Sequence, residues 1–522
     1  MKGCERFKKL PPEVGRLKKL EKLDLDKTQI IHLPAEIQEL TNLQSLTLCL
    51  YEYRGKKSKQ YTSSTIVPFG VISKLQVLKH LSIDVNPNDE RWQENVQVIL
   101  PEILALHCLE TISLYIPEPK LLNLLPAHIF KLDFRFIVGQ HMSRIISGAL
   151  PSAEEKFKQS ECSLMFVKGV DVPHEIKDVV RYSKALFLDR HLTIKDLSVF
   201  GMTNIEQLQV CLLAECKEMQ TIVDGRYSRS EDIFPCLLLL SVSYMKNLRS
   251  ICEGEIHSSH CFGMLKSLTL HNCPKLSTIF TLNFISNLSL LKVLAVKGCP
   301  KVSALISCGS SKLKAGTFLS KLRTMILIHL PELISISNGL HMGPSLENIG
   351  IYDCPKLQSF SKMELSSKNL KIIKGETKWW EALTWSEAEW GKIGQPSMFD
   401  SIFSPINQEA DIISQLDFND DIDDSTGGMV DEPLQASSER VFKGTKLNAN
   451  RPTPLQLGSR KSVMNSGKTH IPRPPVLIHS HKSSGPAKNI DTNPLEVFHS
   501  RGSSGACPVE QPLLWTTLAT TH

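Results

Sequence analysis

Apolar residues return at a fixed rhythm along most of residues 10–375. In LKKLEKLDLDKTQIIHLPAEIQEL (residues 17–40) they stand in the order L-x-x-L-x-L, and further apolar residues follow at wider intervals. The x-L-x-L piece predicts a short strand, because alternate residues of a strand point to the same side. The wider-spaced apolar residues predict a return segment that packs against the same core.

The unit recurs throughout this region. In the second half we place its third anchor at Leu208, Leu240, Leu268, Leu294, Met325, Ile349 and Ile373, with spacings of 32, 28, 26, 31, 24 and 24 residues. An L-x-x-L-x-L core with a period in the twenties is the signature of leucine-rich repeats. No unit can bury its apolar face alone, so neighbouring units must stack. The sequence therefore predicts an α/β fold, a curved leucine-rich-repeat solenoid with a parallel β-sheet on its concave face.

An amphipathic helical array is the alternative interpretation of the same i, i+3 spacing. Proline inside a helix removes a backbone hydrogen bond and clashes with the preceding turn. Five prolines lie inside the pattern and argue against helices: Pro34, Pro274, Pro300, Pro331 and Pro355.

The pattern divides the chain into five expected parts. Residues 1–119 form a first set of repeats that starts in the middle of one, so we expect a C-terminal piece of a longer protein or a truncated gene product. Residues 120–200 fit the repeat poorly and are expected to be degenerate, and residues 201–375 form the second set. Residues 376–394 hold four of the six tryptophans and predict a C-terminal cap, with a ligand platform as the alternative. Residues 395–522, acidic and then rich in Ser, Pro and Gly, predict a disordered tail.

Composition narrows the function classes. A net charge of +6 over 522 residues gives no reason to expect a nucleic acid or membrane partner. The fourteen cysteines are scattered, which is typical of the reduced thiols of an intracellular protein. The N-terminus has no signal-peptide pattern, and the apolar runs are too short to span a bilayer. We therefore expect a cytoplasmic protein.

Three Cys-Pro-Lys triplets, at Cys273, Cys299 and Cys354, raise the question of metal or redox chemistry. Five residues after each third anchor the chain carries Leu213, Met245, Cys273, Cys299, Leu330 and Cys354. A metal ligand position would not accept Leu and Met, whereas an apolar core position accepts all three, since free cysteine behaves as a small hydrophobe. The triplets are therefore interpreted as core positions.

Other candidate chemistry is weak. Cys252, His257, His260 and Cys261 have spacings unlike those of common zinc sites, and a polar loop is the alternative. The segment NSGKTH (465–470) has Ser462 where a phosphate-binding loop requires glycine. We expect no catalysis, metal, cofactor or bound nucleotide.

The remaining candidates are surface residues that flank the buried strand positions and should point to solvent on the concave face. A rigid concavity is the surface with which solenoids commonly bind partners. The predicted partner-binding set is Lys22, Asp24, Asp26, Thr47, His80, Ser82, Asp84, Ser113, Tyr115, Gln207, Gln209, Ser241, Ser243, Thr269, His271, Lys297, Asn348 and Tyr352.

Several long phrases resemble a known family. LPPEVGRLKKLEKLDLDKTQIIHLPAEIQELTNLQSL, DRHLTIKDLSVFGMTNIEQLQVCLLAECKEMQTIVDG (189–225) and the Cys-Pro-Lys-Leu units are similar to the repeat domain of plant coiled-coil nucleotide-binding leucine-rich-repeat disease-resistance proteins. IKGETKWWEALTW is similar to the end of such a domain, and the resemblance covers roughly residues 7–390. No nucleotide-binding domain precedes the repeats, so the resemblance implies the recognition role and not the nucleotide switch.

The resemblance implies a protein-recognition module of plant immunity that binds a pathogen effector, or a host protein modified by one, through its concave face. Two alternatives stay open. The chain could be a leucine-rich-repeat adaptor or scaffold of another pathway, such as substrate selection for ubiquitin ligation, or a non-functional fragment.

Overall fold

The computed structural model describes residues 2–4, 6–50, 65–140, 151–225, 233–254, 261–307, 317–337, 341–360, 368–385, 399, 401–408 and 412. These residues all lie in the first of two compact units, residues 1–432. The second unit, residues 433–522, and most of the predicted disordered tail lie outside the described residues.

Fifteen strands form one parallel sheet in which every strand lies beside its neighbours in sequence. Each is short, between three and seven residues. In chain order they are β1 (Lys22–Asp24), β2 (Ser45–Leu50), β3 (His80–Val85), β4 (Thr111–Ile116), β5 (Asp133–Gly139), β6 (Ser163–Val167), β7 (Ala185–Asp189), β8 (Val210–Ala214), β9 (Leu239–Ser243), β10 (Ser267–His271), β11 (Val293–Lys297), β12 (Thr324–Ile328), β13 (Asn348–Tyr352), β14 (Ile372–Gly375) and β15 (Phe403–Pro405).

The return segments contain short helices and paired two- to four-residue strands. The α-helices are α1 (Glu90–Glu102), α2 (Pro151–Gln159), α3 (His174–Tyr182), α4 (Leu282–Asn287) and α5 (Thr377–Glu381). The 3₁₀ helices are Pro12–Arg16, Ala35–Glu39, Ile72–Lys74, Ile103–Ala105, Pro119–Leu124, Ala127–Lys131, Leu197–Phe200 and Met202–Asn204. Return strands pair as Thr221–Asp224 with Ser250–Glu253, Phe280–Thr281 with Ile306–Ser307, and Thr317–Phe318 with His341–Met342.

The register stacks apolar residues in columns along the sheet. One column runs through Leu23, Leu46, Leu81, Ile112 and Phe134. A second runs through Phe136, Leu164, Leu186, Cys211, Leu240, Leu268, Leu294, Met325, Ile349, Ile373 and Phe403. These side chains join one core that extends from Leu10 to Phe399. The predicted leucine-rich-repeat sheet is confirmed.

Residues 120–200, which the sequence predicts to be a degenerate part of the repeat, contribute three strands to the same sheet. β5, β6 and β7 pair in unbroken register with each other and with β4 and β8. On the return side of these repeats α3 packs on the 3₁₀ helices, and the strands keep their place. The charged stretch that obscured the pattern is α2.

The chain leaves the strands from β6 onward through a residue in the left-handed conformation. These residues are Lys168, Arg190, Glu215, Tyr244, Asn272, Gly298, His329 and Asp353, with φ between 51° and 65°. The backbone N–H of each of the first seven donates to the last carbonyl of the next strand, over 2.8–3.0 Å. The N–H of Asp353 donates instead to the carboxylate Oε2 of Glu376, at 2.8 Å. The turn out of each strand is therefore bonded to the following repeat.

The residue after each left-handed residue points into the core and defines one position per repeat. From β7 onward this position holds His191, Cys216, Met245, Cys273, Cys299, Leu330 and Cys354, all at most 1% exposed. The register corrects the predicted anchor at Leu208, because Cys211 pairs with Leu240 and Leu186. Leu208 is the first leucine of L-x-x-C-x-L, so the core position belongs to Cys216 rather than Leu213.

The cysteine thiols of this position face backbone carbonyls. Cys216 Sγ donates to Ala214 O at 3.5 Å, Cys273 Sγ to His271 O at 3.6 Å, and Cys354 Sγ to Tyr352 O at 3.6 Å. Burial raises the pKa of Cys216 and that of Cys354 to about 12. Cys216 and Cys354 are therefore protonated core groups, and all three triplet cysteines are buried, in accord with the interpretation of the triplets.

Tryptophans close the array together with residues that the sequence assigned to the disordered tail. Trp380 stacks on Phe403 of β15, with ring centroids 4.4 Å apart, and Trp385 stacks on Phe399 at 5.6 Å. The predicted boundary at residue 395 therefore needs correction, because Phe399, β15 and Ile412 belong to the folded array. A strand of three residues after a polar segment gives too weak a pattern to detect in sequence.

None of the helices in the described part of the chain combines the length and the apolar character that crossing a bilayer requires.

We predict that Cys354 is unreactive in the native protein, because its buried thiol has a pKa of about 12 and thiolate is the reacting form. Cys354→Ala should leave the number of thiols that react with Ellman's reagent at about pH 8 unchanged, whereas Cys108→Ala should lower it by about one, since Cys108 is exposed. A lower number of reactive thiols in native Cys354→Ala would contradict the placement of Cys354 in the core. Both variants should lose one reactive thiol after denaturation.

His191 is the one ionisable imidazole in this core position. Its Nδ1 accepts weak hydrogen bonds from the N–H groups of Ile194 and Thr193, at 3.3 and 3.4 Å, and its ring meets the edge of Phe166. Its Nε2 is buried without a hydrogen-bond partner in the structure. Burial lowers the pKa of His191, because the charged form would lose its water.

We therefore predict that His191 makes the fold less stable in acid. Its folded pKa lies below the unfolded value of 6.5, so the unfolded chain takes up a proton first as the pH falls. The full contribution is present above about pH 6.5 and is lost below it. In urea unfolding at about pH 7.5 and about pH 5.5, His191→Met should show a smaller acid-dependent loss of the free energy of unfolding than the parent chain. Equal losses would contradict the assignment.

Candidate recognition surface

The concave face consists of the strand residues that alternate with the buried columns. Eleven of the predicted residues lie on strands of this face with partial or full exposure: Lys22, Asp24, Thr47, His80, Ser82, Asp84, Ser113, His271, Lys297, Asn348 and Tyr352. Asp26 follows β1 and is also partly exposed. The other six predicted residues require correction.

Four predicted residues are on strands but are buried: Tyr115, Ser241, Ser243 and Thr269 are between 1% and 6% exposed. Gln207 and Gln209 are exposed but precede β8, because the anchor is Cys211 and not Leu208. The outward positions of that repeat are occupied by Val210 and Leu212 instead.

The N-terminal part of the face, β1 to β5, is polar. Asp24 and Asp84 lie on it, and Asp26 follows β1 at its rim. Local bonds fix the positions of several side chains. His80 Nδ1 lies 2.9 Å from Thr111 Oγ1, and Asp24 Oδ1 accepts from the N–H of Asp26 at 3.0 Å. The result is a partly exposed polar strip on a rigid backbone.

Tyr115 lies near the end of β4, within this polar strip, and is buried. Burial, and secondarily the negative charge of Asp84, raise the pKa of its phenol to about 12. The phenol therefore stays protonated across the physiological pH range. It presents a hydroxyl group and not a phenolate beside the carboxylate of Asp84.

The middle of the concave face is apolar and is covered by the chain itself. Outward residues of β6 to β9, including Met165, Phe187 and Leu212, form a cluster separate from the main core. Helix α2 lies on this cluster through Ala153 and Phe157, which are four residues apart and hence on one helical face. The ring of Phe157 meets that of Phe187 edge-on, with centroids 5.7 Å apart.

A cavity of about 300 Å³ lies between α2 and the sheet. Its floor is Met165, Phe187 and Leu212, and Arg135 and Lys158 line it together with these apolar groups. It is large enough for one apolar side chain with a polar rim. It adjoins the polar strip, because Ser113 of β4 lines both.

Small hydroxyl residues separate this cluster from the C-terminal part of the face. Ser241 Oγ and Ser243 Oγ are buried, and neither makes a hydrogen bond in the structure. Beyond them, Val293, Ala295, Ile326 and Ile328 form a second apolar cluster with Ile406 and Ile412. Only part of the predicted face is thus available to a partner without rearrangement.

No group of three or more His, Cys, Asp or Glu side chains among the described residues has the arrangement that a metal ion needs. Two of the four residues in the zinc candidate, His257 and His260, lie outside the described residues. The other two, Cys252 and Cys261, are buried, and burial raises the pKa of Cys252 to about 12.

Part of this chain matches a known family of repeat proteins. Residues 191–300 and 237–374 match the family model described as plant disease resistance protein RPS2-like, leucine-rich repeats. A disease resistance protein of Arabidopsis thaliana is 24% identical over 426 residues, which are 78% of this chain and 40% of that protein. The chain thus spans less than half the length of this relative.

Two solved structures were also matched. A leucine-rich-repeat protein of Leptospira interrogans aligns over 69% of this chain and 78% of its own, with 19% identity and a TM-score of 0.36. The plant peptide hormone receptor RGFR1 in complex with RGF2 aligns over 72% of this chain and 60% of its own, with 15% identity and a TM-score of 0.26.

We predict that Phe157 holds α2 on the concave face. A nine-residue helix is unstable alone in water, so loss of the ring contact with Phe187 should free it. In Phe157→Ala, amide hydrogen exchange over residues 151–159 should be at least about tenfold faster than in the parent chain, while the strand amides keep their protection. Glu155→Ala, an exposed position on the same helix, is the matched control. Unchanged exchange in Phe157→Ala would contradict this role.

Proposed function

Because residues 191–374 of this chain are leucine-rich repeats of the plant disease resistance family, we propose that the chain is a non-catalytic protein-recognition module of plant immunity. Its partner is a pathogen effector or a host protein modified by one. The partner binds the N-terminal part of the concave face, and no chemistry on the partner is required of the chain.

One observation carries the proposal: the chain covers its own concave face in the middle and near the C-terminus but leaves β1 to β5 polar and partly exposed. The backbone of this part of the sheet is already fixed by hydrogen bonds between strands. Binding a partner therefore orders fewer groups, which lowers the entropic cost of binding. The proposed contact set is accordingly narrower than the sequence implied. It comprises Lys22, Asp24, Asp26, Thr47, His80, Ser82, Asp84 and Ser113, together with Asp133 and Arg135 at its edge.

Charge decides which partners fit this strip. Asp24, Asp26, Asp84 and Asp133 outnumber Lys22, Arg135 and Lys2, which pairs with Asp26 at 3.5 Å, so a partner with a basic patch is favoured. Complementary charge acts chiefly on the association rate and on the rejection of wrong partners. The largely apolar cavity beside Ser113 then offers space for one apolar side chain.

We predict that reversing charge on this strip removes partner binding. Asp24→Lys with Asp84→Lys in the full chain should weaken binding to a cognate partner by at least about tenfold, which is about 1.4 kcal/mol. The cognate partner is to be selected from a panel of purified pathogen effectors and leaf proteins by surface plasmon resonance. The loss should be greatest in the association rate and should shrink at high salt.

The matched control is Glu13→Lys with Glu218→Lys, which makes the same change of charge at exposed return-side positions. Binding that survives reversal on the concave strip but fails in this control would refute the proposed surface. A panel in which no effector or host protein binds the parent chain would refute the proposed function itself.

A further inference from the structure

The second apolar cluster on the concave face departs from the pattern of the rest of the sheet. Four of the six outward residues of β11 and β12 are apolar, and none of these four, Val293, Ala295, Ile326 and Ile328, is more than 6% exposed; the other two are Lys297 and Thr324. Outward positions of a repeat strand need no apolar side chain to hold the core, which lies on the other side. An aliphatic patch there is a surface that requires an occupant.

The occupant in the structure is a later part of the same chain. Just after β15, Ile406 is bound through its N–H to Gly375 O at 2.9 Å, and its side chain joins the patch. Ile412 joins the same patch and is fully buried. Between them, Asn407 and Gln408 are exposed. The covering residues therefore follow an aliphatic–polar–aliphatic order.

Gly350 of β13 provides the seat for Ile412. A Cβ atom at position 350 would lie 2.6 Å from Ile412 Cγ2, well inside van der Waals contact. The backbone of β13 is thus open to this one side chain. Closing the edge of the sheet does not require the arrangement, because β15 pairs with β14 and the tryptophans stack on Phe403 and Phe399. Ile412 instead covers strands that lie inside the sheet.

We propose that this patch, Val293, Ala295, Ile326 and Ile328 with the seat at Gly350, is a second interaction surface for an extended partner segment bearing aliphatic side chains. Ile406 and Ile412 occupy it in the absence of the partner. The inference rests on the proposed function, since it assigns the recognition module a second site. The partner segment carries two aliphatic residues separated by polar ones, because the internal occupant has that form. The residue that enters the seat is aliphatic, as Ile412 is, and the seat lies beside Lys374, which pairs with Gly350 in the sheet.

Intramolecular occupation makes the site selective. The covering residues are held near the patch at an effective concentration in the millimolar range, so a free segment must displace them to bind. Weak or passing contacts with unrelated apolar segments are thereby suppressed. A partner already bound to the polar strip has the same advantage of proximity and can compete.

The test uses the full chain and a fluorescein-labelled peptide of residues 403–412, FSPINQEADI, followed by fluorescence anisotropy. In Ile412→Asp one of the two covering side chains, the one in the seat at Gly350, no longer competes, so the peptide should bind at least about tenfold more tightly than to the parent chain. Ile334→Asp makes the same change at an isoleucine that is 60% exposed, and it should bind the peptide as weakly as the parent. Adding Gly350→Val to Ile412→Asp should abolish the gain, because the new side chain fills the seat.

Equal peptide binding by the parent and Ile412→Asp, or binding that Gly350→Val leaves intact, would overturn the inference. Should Ile412→Asp lose its circular dichroism spectrum, the milder Ile412→Ala takes its place with the same expected order of affinities. The outcome is separate from that of the proposed function. The peptide assay needs no immune partner, and the charge-reversal assay on β1 to β5 does not involve the patch.

Discussion

The turn out of each strand is the constraint on which the rest of the array depends. Every repeat from β6 to β13 turns at a left-handed residue, a conformation that costs a non-glycine residue about 1 kcal/mol or more. Two interactions offset this cost. The N–H of the left-handed residue donates a hydrogen bond to the neighbouring repeat, and the side chain of the next residue packs into the core. One turn therefore sets the strand end, the spacing to the next strand and the size of the core side chain.

The sheet face opposite the core is divided into a polar part and two apolar parts. The core is formed by the stacked columns of inward apolar residues. Most outward residues of the strands make no part of that core, so they can be polar or apolar. β1 to β5 present polar groups, whereas two apolar clusters farther along are covered by α2 and by Ile406 and Ile412. The proposed recognition surface is thus confined to those positions of the sheet that the chain does not itself cover.

The sequence was sufficient to predict the repeat, the parallel sheet and the buried role of Cys273, Cys299 and Cys354, because each depends on a period that recurs. It misplaced one anchor. The strand position of that repeat holds Cys211, which does not match the leucine pattern, whereas Leu208 matches the pattern but is the first leucine of the unit. In that repeat the error moved the predicted surface residues off the strand.

The covered clusters were missed for a different reason. Outward and inward residues are both apolar in VCLLA, VLAVK and TMILI, so the alternation that marks an exposed strand face is absent there. The continuous apolar run in each of these strands was the signal from which the covered clusters could have been predicted. Helix α2 was not predicted because only two of its residues, Ala153 and Phe157, contact the apolar cluster, and the rest of the segment is highly charged. The position of Ile412 was not predicted because it depends on a contact with Gly350, which is distant in sequence.

The left-handed turn also bears on how such a molecule can evolve. Within this single chain the position is held by Lys168, Arg190, Glu215, Tyr244, Asn272, Gly298, His329 and Asp353, which span every charge and most sizes. Because the turn is held by its backbone N–H, the position accepts many side chains, and several of them make contacts of their own: Arg190 pairs with Asp189, His329 with Asp353, and Tyr244 meets the ring of His271. Such positions lie at the ends of successive strands, where a substitution can change the protein surface while the turn itself is kept.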